Sequence, residues 1–309
     1  MDVQYAQHDS RSQPLVALIV LNHERRELLL ESLRAAQATT YSPCRLVVVD
    51  NGSTDGSADA VECEFPDIIV LRSPTNAGVA GGRNIGAKWV LGNLDAQFVL
   101  FLDNDSLVEP DTLAQLIRPA LEDRNIGLVA PKAYRHKGDD RLLSAGGLRF
   151  NPYTGVLDDF ASGEPDQGQH DQPRDIQACP GFAFLVRREV FERIGFFDEH
   201  FNPYGWEDAD FSLRAAKAGF RNVYAPRAVV YHLGGRIGRG PVANYEYHKA
   251  RSMLYFMRRH TTFVQWISFL VMLPFRAVVR VAKELMSGRF NVVSEWMHGV
   301  RPSRHGDRR

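Results

Sequence analysis

The chain has 309 residues, 44% hydrophobic and 24% charged, with 37 basic and 37 acidic side chains. This composition excludes a disordered, collagen-like or disulfide-scaffold protein and leaves room for one large α/β core with an appendage. The balanced charge conceals an asymmetry, because residues 249–309 carry twelve Lys/Arg against three Asp/Glu. Cys44, Cys63 and Cys179 have no metal-ligand spacing and are odd in number, so neither a zinc site nor a disulfide framework is expected, and a reducing compartment is.

The polar stretch 1–14 reads as a disordered tail without the apolar segment of a signal peptide, which predicts a cytoplasmic protein. Leu15–Asn22 is an apolar run that predicts a buried strand, and Glu24–Ala38 has helical periodicity. Leu46–Asp50, Ile68–Leu71 and Phe98–Leu102 are further strands, separated by helix-compatible stretches at Gly56–Glu64 and Arg83–Asn93. Such alternation predicts an α/β fold with a mainly parallel central sheet flanked by crossover helices. Glu109–Asn125 reads as a helix and Gly127–Tyr134 as a strand, whereas the Gly/Asp/Gln/Pro-rich segment Gly138–Arg174 is expected to be irregular. Regular patterning resumes at Ile176–Val186, followed by helices at Arg188–Ile194 and Asp208–Ala218 and a strand at Ala228–His232, with the domain ending near Arg259.

Polar motifs fall at the carboxyl ends of these strands, where open α/β sheets gather their functional groups. Asp103-Asn104-Asp105 sets two carboxylates on a tight turn suited to Mg²⁺ or Mn²⁺; its alternative is a turn with capping aspartates. Asp50-Asn51-Gly52-Ser53 offers a carboxylate and amides to a nucleotide base and ribose, or else simply ends a strand and caps a helix. Asn76–Asn84 resembles a glycine-rich anion loop in which Arg83 meets phosphate or positions acidic groups. Glu207 and Asp208 open a helix, where the dipole favours carboxylates and where one of them can serve as general base. His232 ends a strand and is a candidate third metal ligand, or else a structural histidine, and Arg236 and Arg239 in the loop that follows either contact phosphate or stay solvated.

Together, Asp50-Asn-Gly-Ser-Thr-Asp55, Asn76-x-Gly78-x-x-Gly81-x-Arg83-Asn84, Asp103-x-Asp105, Trp206-Glu207-Asp208-x-Asp210 and His232 resemble the family-2 inverting glycosyltransferases in content and order. The resemblance spans about Leu15 to Met257 and is nearest to the rhamnosyl- and galactofuranosyltransferase-like branch. It implies a GT-A fold, with a nucleotide-sugar half (15–125) and an acceptor half (126–259) around one continuous sheet. It also implies that Asp50 contacts the base, with Asn22, Asn51, Gly52, Ser53, Asn76, Gly78, Arg83, Asn84 and Asn104 around the nucleotide and donor. Asp103 and Asp105 would hold the diphosphate and the metal, His232 would complete the metal site, and Asp208 would be the catalytic base. Pro180, Gly181, Trp206 and Glu207 would line the donor–acceptor pocket, and Arg214 would make a structural pairing within the helix. The activity so implied is metal-assisted single displacement of a sugar from dTDP-rhamnose or a UDP-sugar to a glycan hydroxyl, in cell-surface polysaccharide synthesis.

The segment 260–309 is basic and amphipathic. Gln265, Pro274, Arg276 and Arg280 interrupt its apolar stretch, so a clean transmembrane helix is not expected. Arg258, Arg259, Arg276, Arg280 and Lys283 flank aromatic and aliphatic side chains, which suits a helix lying in an anionic interface rather than a nucleic-acid contact. The expected location is therefore the inner face of the cytoplasmic membrane, with a polyprenyl-linked glycan as acceptor; docking on the catalytic domain or on a second copy in a homo-oligomer is the alternative. A sugar nucleotidyltransferase would need a Gly-rich loop where Asn22-His23-Glu24-Arg25-Arg26 stands, and a dehydrogenase a Gly-x-Gly-x-x-Gly there. A non-catalytic nucleotide-sugar-binding or scaffolding protein would be expected to lack the base or the metal pair, and both are present.

Overall fold

The computed structural model describes residues 13–234 and 245–286. Its nucleotide-side half runs β1 (Val16–Asn22), α1 (Arg26–Gln37), β2 (Cys44–Asp50), α2 (Ser57–Glu64), β3 (Ile69–Arg72), α3 (Gly78–Asn93) and β4 (Phe98–Asp103). β1 pairs in parallel with both β2 and β4, and β2 with β3. Residues Val16–Val20 are buried on both faces of the sheet, which explains the unbroken apolar run. Next come β5 (Ser106–Val108), α4 (Thr112–Glu122), β6 (Ile126–Tyr134), β7 (Leu142–Ala145), a hairpin of β8 (Leu148–Asn151) with β9 (Val156–Asp159), and β10 (Arg174–Asp175). The chain closes with β11 (Ala183–Arg187), α5 (Arg188–Ile194), α6 (Glu207–Lys217), β12 (Arg221–His232), α7 (Tyr245–His260) and α8 (Phe263–Met286).

β11 enters antiparallel between β4 and β6, so the two halves share one sheet of order β10-β12-β6-β11-β4-β1-β2-β3. This reversal brings the loop before β11 to the edge where β1, β2 and β4 end, and Asp103 N–H donates to the Phe182 carbonyl across it. β12 runs parallel to β6 and delivers His232 to the same edge, opposite Ser106.

Three expectations are corrected. The segment 138–174 is not irregular: β7 joins the sheet and β8–β9 forms a hairpin. Its low hydrophobicity reflects short edge elements of which only one side is covered, Leu142, Ala145, Leu148 and Ala161 being the buried apolar residues. Helix α3 begins at Gly78 rather than Arg83, absorbing the glycine-rich segment. The packed body also continues past Arg259, because Met253, Phe256 and Met257 of α7 and Phe269 of α8 are fully covered and share clusters with Phe150 and Trp206.

One stripe of α8 thus docks on the domain, with Ser268 Oγ donating to the Tyr153 carbonyl and Arg276 to that of Thr154. The opposite stripe leaves Val264, Ile267, Val271, Phe275 and Val278 exposed at helical spacing. Among the described residues no helix is long and apolar enough to cross a membrane. Two of the five cations assigned to an anionic interface are used inside the protein: Arg276, and Arg259, which pairs with Asp198 at 2.7 Å and Asp210 at 3.2 Å. The tail 1–12, Arg236 and Arg239 lie outside the described residues, as does the extension beyond Met286.

Candidate functional site

The shared sheet edge, the start of α6 and the β8–β9 hairpin enclose an open cavity of about 920 Å³. Its wall includes Asn51, Asn76, Gly78, Arg83, Asp103, Asn104, Asp105, Pro180, Gly181, Trp206, Glu207, Asp208 and His232, gathered from across the chain. Asn22, Asp50, Gly52, Ser53 and Asn84 do not form part of that wall.

Asn22, Asp50 and Ser53 are instead hydrogen-bonded to one another at the ends of β1 and β2. Asn22 is fully buried, donating to Asp50 Oδ1 at 3.3 Å and to Ser53 Oγ at 3.2 Å while accepting from Asn104 at 2.7 Å, so one amide ties the ends of β1, β2 and β4 together. Asn84 spends its amide on both backbone groups of Phe197 and on Glu199, which corrects the expected nucleotide contact: its side chain points into the packing of α3.

The glycine-rich segment is likewise not an anion loop. The N–H groups of Ala77, Gly78, Ala80 and Gly81 donate to the side chains of Asn51, Asn76 and Asn202, and that of Val79 to the Pro203 carbonyl, leaving none of this first turn for phosphate. Gly78 is required there, since at φ 74° a Cβ would lie 2.4 Å from Asn202 Oδ1.

Arg83 positions acidic groups. From α3 its guanidinium reaches Glu207 Oε1 at 3.1 Å, Asp103 Oδ1 at 3.2 Å and the Gly181 carbonyl at 2.7 Å, with the Phe184 and Phe197 rings beside it. Burial alone would lower its pKa, but the carboxylates of Asp103, Glu207 and Asp208 hold it protonated. Burial pushes the Asp208 carboxyl up, against the pull of Arg83 and the N–H groups of Ala209 and Gly181. Glu207 is pushed up by burial and by Asp208 beside it, so two neighbouring carboxyls compete for charge at one helix start. A Cβ at Gly181 would stand 2.9 Å from Asp208 Oδ2 and 3.1 Å from Arg83 Nη2, so a side chain there would displace the carboxylate and the guanidinium from their present positions.

Asp103, Asp105 and His232 form the cluster that can hold a metal, each presenting one ligand atom with all three within 4.8 Å of one another. Phe182 stacks on the His232 ring at 4.9 Å. His232 Nε2 is buried without a hydrogen bond among the described residues, 3.1 Å from Asp105 Oδ1. Two carboxylate oxygens and an imidazole nitrogen fit Mn²⁺ or Mg²⁺. Cys179 is fully buried and its thiol is pushed up by that burial, so it is packing rather than chemistry.

Several wall residues carry no signal in the sequence. Arg25, in the left-handed region at φ 66°, pairs with Asp105 Oδ2 at 2.7 Å, and His23 and Glu24 line the cavity beside it. Asp158 and Asp159 arrive on the hairpin, His248 and Lys249 on α7. None lies in a motif; only the pairing of distant segments brings them in.

Comparison with known proteins fits this architecture. The chain is 27% identical over 276 residues to the N-acetylglucosaminyl-diphospho-decaprenol L-rhamnosyltransferase of Mycobacterium tuberculosis, covering 80% of this chain and 85% of the relative. It is 28% identical over 202 residues to the O-antigen chain rhamnosyltransferase WbaN of Salmonella anatum, covering 65% of this chain and 60% of that one. The mannosyltransferase of Pyrobaculum calidifontis, solved with GDP-Man and Mn²⁺, superposes with a TM-score of 0.56 at 18% identity, over 94% of this chain and 86% of the other, which shows the GT-A fold. The sequence model described as glycosyl transferase family 2 matches residues 17–195, more than half of the chain, and the protein belongs to that family of glycosyltransferases.

Proposed function

We propose that this enzyme transfers a sugar, with inversion, from a nucleoside-diphosphate sugar to a hydroxyl of a lipid-linked glycan, with Asp208 as general base. The observation that carries this reading is that Asp208 shares one cavity with Asp103, Asp105 and His232, while a single buried arginine, Arg83, bridges Asp103 and the helix start. The raised pKa of Asp208 suits a group that must take a proton from a sugar hydroxyl, a role worth about 10²–10⁴-fold in rate. Asp103, Asp105 and His232 would hold Mn²⁺ or Mg²⁺, which when bound offsets negative charge on the nucleoside diphosphate. Arg83 keeps Glu207 and Asp103 in place, and the Gly181 and Ala209 N–H groups orient the Asp208 carboxylate. Asn76 and Asn104 are suited to the nucleotide, with Asn51 bracing the start of α3 beside them and Asp50 held behind them by Asn22.

Two relatives are named for rhamnosyl transfer, one of them onto a diphospho-decaprenol glycan, which favours dTDP-rhamnose and a polyprenyl-linked acceptor here. The exposed apolar stripe of α8, flanked by the basic segment, supports peripheral seating on the cytoplasmic membrane, where such an acceptor lies. The test is release of nucleoside diphosphate from a panel of nucleotide sugars with Mn²⁺ or Mg²⁺ and N-acetylglucosaminyl-diphospho-polyprenol, beside Asp208→Asn. Metal-dependent release from one donor, lost in the variant, is the expected result; nucleotide-sugar binding with no transfer to any acceptor would overturn the reading.

A further inference from the structure

One carboxylate of the cavity wall has no part in that chemistry. Asp159 ends β9 and lines the same cavity as Asp208, with Leu157 and Asp158 beside it. Its Oδ1 is shut off from solvent and has no hydrogen-bond partner among the described residues. Burial pushes its carboxyl up to about 6, against the charge of His232, a hydrogen bond from the Ser144 side chain and the charge of Lys249, so that one oxygen of the carboxylate is served and Oδ1 is left over. Its own charge acts on Asp208, which places the two carboxylates in one electrostatic neighbourhood. An under-satisfied carboxylate in a covered position costs folding free energy, so it makes physical sense where a ligand supplies the missing donor.

The position is rigid. The backbone here is tied down: Asp158 and Asp159 pair with Arg149 and Leu148 across the hairpin, and beyond them Phe160 N–H donates to the Gly147 carbonyl and Ala145 N–H to that of Phe160. At the other end of the hairpin Tyr153 and Thr154 are clamped to α8. The hairpin thus spans from the helix with the exposed apolar stripe to the cavity beside the base. The nucleotide-side wall, with Asn51 and Asn76, belongs instead to the β1–β2 end of the sheet.

We propose that Asp159 is a specificity-determining residue, accepting a hydrogen bond from an acceptor-sugar hydroxyl next to the one that attacks and so selecting which hydroxyl faces Asp208. This assignment rests on the proposed glycan-acceptor function. Hydroxyls are the donors a sugar offers, and a carboxylate on a fixed strand end discriminates among them by position. Asp159 itself takes no proton in the transfer.

The test uses the full chain, with N-acetylglucosaminyl-diphospho-polyprenol and analogues deoxygenated one position at a time on the sugar. The wild type should lose at least about tenfold in kcat/KM on one analogue, the worth of a single hydrogen bond to a charged group. Asp159→Ala should lose a similar factor on the full acceptor, chiefly through acceptor KM rather than donor KM, and should no longer distinguish that analogue. Asp159→Asn without ligands should melt at or above the wild-type temperature, because an unsatisfied carboxylate has been removed. The assignment is overturned if Asp159→Ala discriminates among the analogues as the wild type does, if donor KM rises as much as acceptor KM, or if Asp159→Asn melts lower. A wild type that binds nucleotide sugar but transfers to no glycan acceptor would overturn the proposed function, and this assignment with it; transfer with unchanged discrimination would remove the assignment alone.

Discussion

Arg83 and Glu207, 124 residues apart in the sequence, meet at 3.1 Å with side chains only 2% and 7% exposed. The same guanidinium touches Asp103, so the start of α6 and the end of β4 are registered by one side chain. Removing one partner of a buried pair leaves the other charge uncompensated. Arg83→Ala should therefore destabilise the fold by about 3–5 kcal/mol, measured by urea unfolding. Arg83→Lys keeps the charge but not the fork that reaches Glu207, Asp103 and the Gly181 carbonyl together, so it should recover part of the stability and little of the activity.

The rate should rise with pH through an acid limb lying above the ordinary carboxylate range. Asp208 acts as base only when ionised, and burial has raised its pKa, so protonation removes activity at a higher pH than for an exposed aspartate. A kcat/KM profile whose acid limb fell near pH 4 would contradict this assignment. Stability of the Asp159 position carries its own sign. The carboxyl titrates near 6 in the fold and near 3.9 unfolded, so its ionisation disfavours the folded state, with no effect below about pH 4 and the full effect above about pH 6. The stability gained by Asp159→Asn should accordingly grow between pH 4.5 and 7.5 in matched denaturation curves.

Replacing a metal ligand should change affinity before it changes fold. His232→Ala or Asp105→Asn should weaken Mn²⁺ binding by at least about 10–100-fold, the range for disturbing even an outer-shell partner. Titration calorimetry without nucleotide reads this directly. Equal Mn²⁺ affinity in wild type and both variants would remove the cluster from consideration. Added chelator should abolish transfer reversibly.

The two faces of α8 should separate on mutation. Val271→Glu with Phe275→Glu alters the exposed stripe and should reduce flotation with anionic phosphatidylglycerol vesicles, leaving the melting temperature near wild type. Phe269→Ala empties a fully covered position against Met253 and Met257 and should cost about 3–5 kcal/mol. Flotation unaffected by the double substitution would argue that the stripe meets another protein surface.

The strands and most helices of the nucleotide-side half were legible in the sequence because a parallel sheet buried on both faces imposes unbroken apolar runs on β1, β2 and β4. The turn residues at the ends of those strands were legible for the same reason. Asp103, Asp105 and the start of α6 stand where local pattern alone puts them. The hairpin 148–159 was not, since short, half-covered strands need few apolar residues and look like loop. The glycines of α3 also misled: their composition suggests an anion loop, yet of the donors that such a loop would offer, those of Val79, Ala80 and Gly81 are taken by Asn202 and Pro203, over a hundred residues away, and those of Ala77 and Gly78 by Asn51 and Asn76.

What the sequence determined by itself was the alternation of elements, and with it the sheet edge on which the carboxylates stand. Tertiary structure alone decided that Arg83 faces inward to Glu207, that Asn22 braces Asp50 rather than lining the cavity, and that α8 has one face docked and one open. Those outcomes depend on contacts between residues far apart in the chain, where burial, charge pairing and the spending of each amide are settled by partners that no local pattern names.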